Sequence, residues 1–137
     1  MTIYCLEDFK LEFEKLQSKN SYKSIEKDII KYFFNKKIEE LKSGTLLNQS
    51  HTTPYIKKRI NGSGGYRFYY LLIIKDENLY LLFVHPKTGV YGAPNINDES
   101  KAFLYKKVLT AIKEKTVYHV ILNTEKSKLI FENQNNS

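Results

Sequence analysis

Apolar positions recur at helical spacing through the N-terminal third of the chain. A short apolar run at Thr2–Cys5 predicts a strand, and the positions after it predict a helix over Leu6–Ser18 and a longer helix over Tyr22–Lys42. A polar break separates the two helices, and Gly44 stands where the second would stop. We therefore expect an antiparallel helical hairpin. The apolar stripes expected to face the core are Phe9, Phe13 and Leu16 on the first helix and Ile25, Ile29 and Phe33 on the second.

The middle of the chain carries β-branched and aromatic runs instead. Tyr55–Ile60, Tyr66–Lys75 and Leu79–Pro86 are each predicted to be strands. Short turns at Asn61–Gly65 and Asp76–Asn78 connect them, so they should form an antiparallel meander. Both faces of the central strands are apolar. The helical hairpin can cover one face, and the C-terminal elements or a partner must cover the other.

The C-terminal part begins with a loop over Thr88–Asp98. A helix is predicted over Glu99–Lys115, followed by strands at Thr116–Leu122 and Lys128–Phe131, and Asn133–Ser137 is expected to be a frayed tail. The expected buried face of that helix consists of Ala102, Tyr105, Leu109 and Ile112.

These elements predict an α+β fold in a single domain over residues 1–137. An N-terminal helical hairpin should pack on a small twisted antiparallel sheet, and a C-terminal helix and an extra terminal strand or hairpin should follow. Residues 116–137 form a C-terminal extension of this domain. Cys5 is the only cysteine, so no internal disulfide is possible, and its apolar neighbours predict a small buried side chain.

Charge changes this picture because it is both positive and segregated. The chain has 22 Lys and Arg residues against 15 Asp and Glu, a net charge of +7. From Leu41 to Lys75 there is no acidic residue. A basic patch of this kind favours a phosphate-bearing partner, and the alternative is a merely solvated basic face. The N-terminus resembles no signal peptide and no run is long enough to span a bilayer, so we expect a cytoplasmic protein without a membrane partner.

Several chemistries lack the residues that they need. His51, His85 and His119 lie far apart in the chain, and no Cys/His or HExxH spacing occurs, so no metal site or cofactor is expected. No G-x-S-x-G motif is present. The glycine-rich turn before Tyr66 is not followed by Gly-Lys-Ser/Thr, so it is not a P-loop.

The most informative stretch joins two basic strands. Lys57-Lys58-Arg59 precedes the glycine-rich turn, and Gly65-Tyr66-Arg67 follows it. Alternation along a strand places Lys57 and Arg59 on one face and Lys58 on the other. An arginine fixed on a strand beside other cations is suited to hold phosphate.

This arrangement resembles the RelE/ParE toxin superfamily of bacterial toxin–antitoxin systems, over roughly residues 2–115. Members have a basic strand, a short turn and then a Gly-Tyr-Arg or Gly-Phe-Arg strand. The run Leu79–Lys87 is similar to the family's next strand, which ends in a basic cluster. The longer Thr88–Asp98 loop and the extension at 116–131 depart from the compact members.

The resemblance to the RelE branch implies a toxin that is a metal-independent mRNA endoribonuclease acting at the ribosome, neutralised by a cognate antitoxin. A homodimer or a toxin–antitoxin hetero-oligomer would follow. In such a reaction the 2′-OH of the RNA attacks the adjacent phosphorus. The candidate catalytic residues are Arg67 for charge neutralisation, Lys57, and His85 or Tyr91 as acid or base. The candidate RNA-binding residues are Lys58, Arg59, Lys87 and Tyr69, the last as a stacking platform.

Two alternatives stay open at this point. The ParE branch shares the fold but inhibits DNA gyrase rather than cutting RNA. A non-catalytic member would bind RNA or a protein partner without cleavage. The position of the basic residues on the meander strands favours the RNA-cutting branch.

Overall fold

A seven-stranded mixed sheet organises the chain in the computed structural model, which describes residues 1–60, 65–87 and 96–134. The strand order is β2-β3-β4-β5-β1-β6-β7. β1 pairs in parallel with β5, and every other neighbouring pair is antiparallel. The strands are β1 Thr2–Cys5, β2 Thr45–Leu46, β3 Tyr55–Ile60, β4 Tyr66–Ile73, β5 Asn78–Pro86, β6 Tyr118–Leu122 and β7 Leu129–Asn133.

In the part of the chain that the structure describes, three α-helices pack on this sheet. They are α1 Glu7–Gln17, α2 Ile25–Ile29 and α3 Asp98–Glu114. A wide π turn, Ile30–Phe34, continues α2, and short 3₁₀ segments lie at Asn20–Tyr22, Ile38–Lys42 and Ile74–Asp76. Within the described ranges, none of these helices combines the length and apolarity that crossing a bilayer requires.

The long helix expected over Tyr22–Lys42 is wrong. Only Ile25–Ile29 is α-helical. The helix continues as the π turn at Ile30–Phe34, and a separate 3₁₀ segment follows at Ile38–Lys42. This region is rich in isoleucine and aromatic residues, which are weak helix formers, so packing decides its shape. Phe33 lies 5.3 Å, ring centre to ring centre, from both Phe68 and Tyr70. These contacts are retained at the expense of regular helix geometry, and the predicted hairpin is present only in part.

The prediction of a small antiparallel sheet is also corrected, because the sheet has seven strands and one of its strand pairs is parallel. The N-terminal strand inserts beside β5 in parallel, with Ile3 opposite Leu79. β6 then pairs with β1, and β7 with β6, so the extension at 116–137 adds strands to the same sheet. Parallel pairing between distant segments leaves no local signal in the sequence, because no tight turn joins the two strands.

Two apolar layers lie on the two sides of the sheet. The first, under α1 and α2, contains the predicted stripes Phe9, Phe13, Leu16, Ile25, Ile29 and Phe33, all buried, together with Cys5. The second lies under α3. The predicted α3 stripe is only partly right: Tyr105 and Ile112 are partly buried against this layer, but Leu109 is 47% exposed, and the buried residues are Leu104, Val108 and Ala111. The two stripes differ by about one residue of rotation, and only the docking of α3 on the sheet selects between them.

Candidate nucleic-acid interface

Strand register gathers the basic residues of the meander on the α3 side of the sheet. Arg67 on β4 lies between Arg59 on β3 and His85 on β5 as the directly paired residue of both. The next row of the same face pairs Lys57 with Tyr69. Lys87 follows β5, and its backbone N–H donates to the Gly65 carbonyl at 2.9 Å. We call Lys57, Arg59, Arg67 and Lys87 the cationic cluster.

The first turns of α3 mark where the apolar cover of this face ends. The Tyr55 hydroxyl donates to the Lys101 carbonyl at 2.9 Å, which ties α3 to β3. Lys57 and Arg59 come two and four residues further along the strand, on the same face as Tyr55. Basic side chains therefore continue the face that apolar side chains occupy beneath α3.

Loss of solvation and then like charges within the cluster lower the pKa values of two of its members, Lys57 and Lys87. Partial burial lowers the pKa of Lys57, and the surrounding positive charges lower it further. Those charges are, in decreasing order of effect, Lys101, Arg67 and Arg59. The pKa of Lys87 is lowered by loss of solvation and then by Arg59 and Arg67. Among the described residues, no carboxylate forms an ion pair with Lys57, Lys58 or Arg59.

An open cleft of about 320 Å³ lies at the β2 edge of the cluster. Gly44, which sequence analysis placed only as a helix stop, has φ +129°, and a Cβ there would lie 2.8 Å from the Lys57 carbonyl oxygen. Its lack of a side chain lets the chain pass tightly beside β3. Lys58 points to the opposite face, as alternation predicts, yet its side chain still lines this cleft. The lining residues are Gly44, Thr45, Lys57, Lys58, Arg59 and Arg67.

Two charged or polar members of this face are buried: Arg67 is 6% exposed, and its cross-strand neighbour His85 is 4% exposed. Both ring nitrogens of His85 have hydrogen-bond partners. The Pro86 carbonyl, 3.0 Å away, can only accept, so Nδ1 carries the proton and Nε2 accepts from the Tyr69 hydroxyl at 3.3 Å. Burial lowers the pKa of His85, and Arg67 and Lys57 lower it further, which outweighs the raising effect of the Pro86 bond. His85 is therefore neutral at neutral pH and has no open lone pair for a substrate.

Tyr69 differs from its expected role as a stacking platform. Its side chain is fully buried, so its ring offers no face to a nucleobase. The hydroxyl accepts from the Ile96 N–H at 3.3 Å and donates to His85. Tyr69 supports the cluster from below, and alternation along β4 was its only signal in the sequence.

The structure thus brings Lys57, Arg59, Arg67 and Lys87 together, with the buried His85 beside Arg67 and the buried Tyr69 beside Lys57. The remaining candidate, Tyr91, lies outside the described residues. Sequence reasoning missed Lys101, whose charge acts on Lys57 although it lies on α3. No local pattern could have found it, because only the docking of α3 places it there.

Neither a search for metal-binding clusters nor comparison with known proteins adds a residue to this candidate site. Across residues 1–60, 65–87 and 96–134, no group of three or more His, Cys, Asp or Glu side chains is placed to hold a metal ion. No family model matches the chain, and no curated protein matches it.

Proposed function

We propose that this chain is a RelE-like toxin, a metal-independent endoribonuclease that cuts mRNA. The observation that supports the proposal is the convergence of Lys57, Arg59, Arg67 and Lys87 at one end of one sheet face, where cations adjoin cations. Bringing like charges together disfavours folding, and a bound polyanion would relieve their repulsion. The RelE resemblance further suggests that the mRNA is bound on the ribosome and that an antitoxin covers this basic face.

The proposed reaction requires a base for the 2′-OH, neutralisation of charge on the phosphoryl oxygens, and an acid for the leaving 5′-oxygen. Lys57 in its neutral form, favoured by its lowered pKa, takes the proton of the RNA 2′-OH. The 2′-oxygen then bonds to phosphorus while the bond to the 5′-oxygen breaks, leaving a 2′,3′-cyclic phosphate. Arg67 and Arg59 neutralise the charge that develops on the phosphoryl oxygens. Lys87 protonates the leaving 5′-oxygen. The buried His85 assists only by remaining neutral beside Arg67.

A cleavage assay on translating ribosomes tests this proposal. We expect the wild-type chain to cut ribosome-bound mRNA and Arg67→Gln to cut it at least tenfold more slowly, which is about 1.4 kcal/mol of transition-state stabilisation. Lys113→Gln removes the same charge from an exposed position on α3 and should leave the rate unchanged. Absence of cutting by the wild type, or equal loss in both variants, would contradict the proposed reaction.

A non-catalytic polyanion-binding protein is the second candidate. It is favoured by the state of His85, because both of its ring nitrogens are hydrogen-bonded and this histidine cannot act as an acid or base beside Arg67. Such a protein would bind RNA in a salt-dependent way and release no 2′,3′-cyclic phosphate. Chemical analysis of the RNA ends after incubation separates the two candidates.

A further inference from the structure

A second cavity adjoins the cationic cluster on the α3 side of β3. It measures about 340 Å³ and lies between the chain that follows β2 and the first turns of α3. Leu47, Ala102 and Tyr105 supply most of its apolar wall. Tyr105 is half-buried and stacks on the buried ring of Tyr55, with 5.3 Å between ring centres and 24° between planes. An apolar slot with an aromatic wall suits a flat ring as its occupant.

Charge at the rim argues against a phosphate in this cavity. Asp98 lines it, fully exposed, and its carboxylate lies 3.5 Å from the Lys101 ammonium. A carboxylate repels phosphate but can accept a hydrogen bond from an exocyclic amine or a ring N–H of a base. The cavity is thus chemically distinct from the cleft of the cationic cluster, where no acidic residue is among the lining side chains.

The two sites lie in line along one strand. Every second residue of β3 lies on the same face, so Tyr55, Lys57 and Arg59 form one row with about 7 Å between neighbours. Lys101 on α3 is close to both sites, because it lines the cavity and its charge lowers the pKa of Lys57. If the phosphates of an extended polynucleotide follow β3 over the cationic cluster, the next nucleotide would therefore lie at the cavity.

We propose that this cavity, between Leu47 and the Ala102–Tyr105 turn of α3, is a nucleobase subsite. It takes one unstacked base of a single-stranded RNA whose phosphates lie on the cationic cluster. The inference rests on the proposed function, because it presupposes that the cluster binds RNA. It adds that recognition extends beyond the backbone and requires a strand whose bases are free to turn out, since a paired base cannot enter the slot.

Binding of two matched oligomers tests the subsite. One probe is a short fluorescent oligouridylate, and the other is the same ribose-phosphate chain without bases. Ala102→Phe fills the cavity from an exposed position, Tyr105→Leu removes its aromatic wall, and Thr110→Phe adds the same bulk to an exposed position elsewhere on α3. Circular dichroism and thermal unfolding establish that each variant is folded before its affinity is measured by anisotropy.

We expect the wild type and Thr110→Phe to bind the base-bearing oligomer at least about fivefold more tightly than the abasic one. Ala102→Phe and Tyr105→Leu should lose that preference while keeping the salt dependence of binding. Arg67→Gln should weaken both oligomers alike and reduce the salt slope by about 1. A preference unchanged in both cavity variants would overturn the subsite and leave the cluster's role intact. Failure of the wild type to bind either oligomer would overturn the subsite and the proposed function together.

Discussion

The two faces of the sheet differ in the side chains that they present beyond the helices that cover them. On the α1–α2 side, apolar side chains extend to the ends of β3 and β4, where Ile60, Tyr66 and Phe68 are all buried. On the α3 side the corresponding positions hold Arg59 and Arg67. The same two strands thus present a largely apolar face, on which Lys58 is the one cation of β3, and an opposite face that carries Lys57, Arg59 and Arg67.

Under the proposed function, this difference separates residues that stabilise the fold from residues that bind RNA within a single pair of strands. Apolar burial on the first face stabilises the fold by roughly 1.5–3 kcal/mol for each large side chain. The second face gathers like charges, whose mutual repulsion disfavours folding and would be relieved by a bound anion. We therefore expect changes on the first face to alter stability most, and changes on the second to alter binding more than stability.

Phe33→Ala should give the largest stability effect. The ring is fully buried against Phe68 and Tyr70, so its removal leaves a cavity that the rigid sheet cannot close. We expect the free energy of unfolding to fall by about 3–5 kcal/mol, measured by urea titration. Leu109→Ala, at a half-exposed apolar position on α3, should cost less than about 0.5 kcal/mol. A similar loss in both variants would remove the contrast between the faces.

Gly44→Ala should come next. Its φ of +129° is strained for any other residue, and the added Cβ would meet Ile56 and the Lys57 carbonyl at 2.8 Å each. We expect a loss of about 2 kcal/mol or more in the free energy of unfolding. RNA binding should weaken as well, because the backbone that carries Lys57 must move. The neighbouring exposed Ser43→Ala is the control, and a neutral Gly44→Ala would show that the chain can pass β3 by another route.

His85 makes the cationic face sensitive to acid. Its folded-state pKa is lowered, so the unfolded chain binds the proton more readily, and the stability contribution is present above the unfolded pKa of about 6.5. That contribution is lost as pH falls below this value. His85→Asn retains a donor for the Pro86 carbonyl, and we expect its unfolding free energy to fall less steeply over the acidic range than that of the wild type. A profile for His85→Asn that runs parallel to that of the wild type would refute this assignment.

Lys57→Met should give the smallest stability change and a large functional one. Removing one of several like charges relieves repulsion, so at low salt we expect the free energy of unfolding to rise by up to about 0.5 kcal/mol. Added salt should screen the repulsion and erase the gain. RNA cleavage should be lost in the same variant. A destabilised Lys57→Met would indicate that this lysine supports the fold rather than the site.

Local patterns predicted the β3–β4 hairpin and the first helix because these elements depend on neighbouring residues. The observed register from Tyr55 opposite Leu71 to Ile60 opposite Tyr66 follows from the strand runs and the turn between them. The broken α2 and the true buried face of α3 were not predictable in this way. Both depend on contacts with strands far along the chain, such as that of Phe33 with Phe68.

The candidate site shows the same division. Alternation placed Lys57 and Arg59 on one face, but it could not show that His85 and Tyr69 are buried or that Lys101 approaches from α3. Composition and periodicity by themselves determined an α+β chain with an acid-free basic segment on two adjacent strands. Tertiary structure decided which cations meet, which face remains open and which aromatic wall adjoins it. The physical reason is that burial and Coulomb interactions depend on distances through space, and these distances are set only when remote segments pack together.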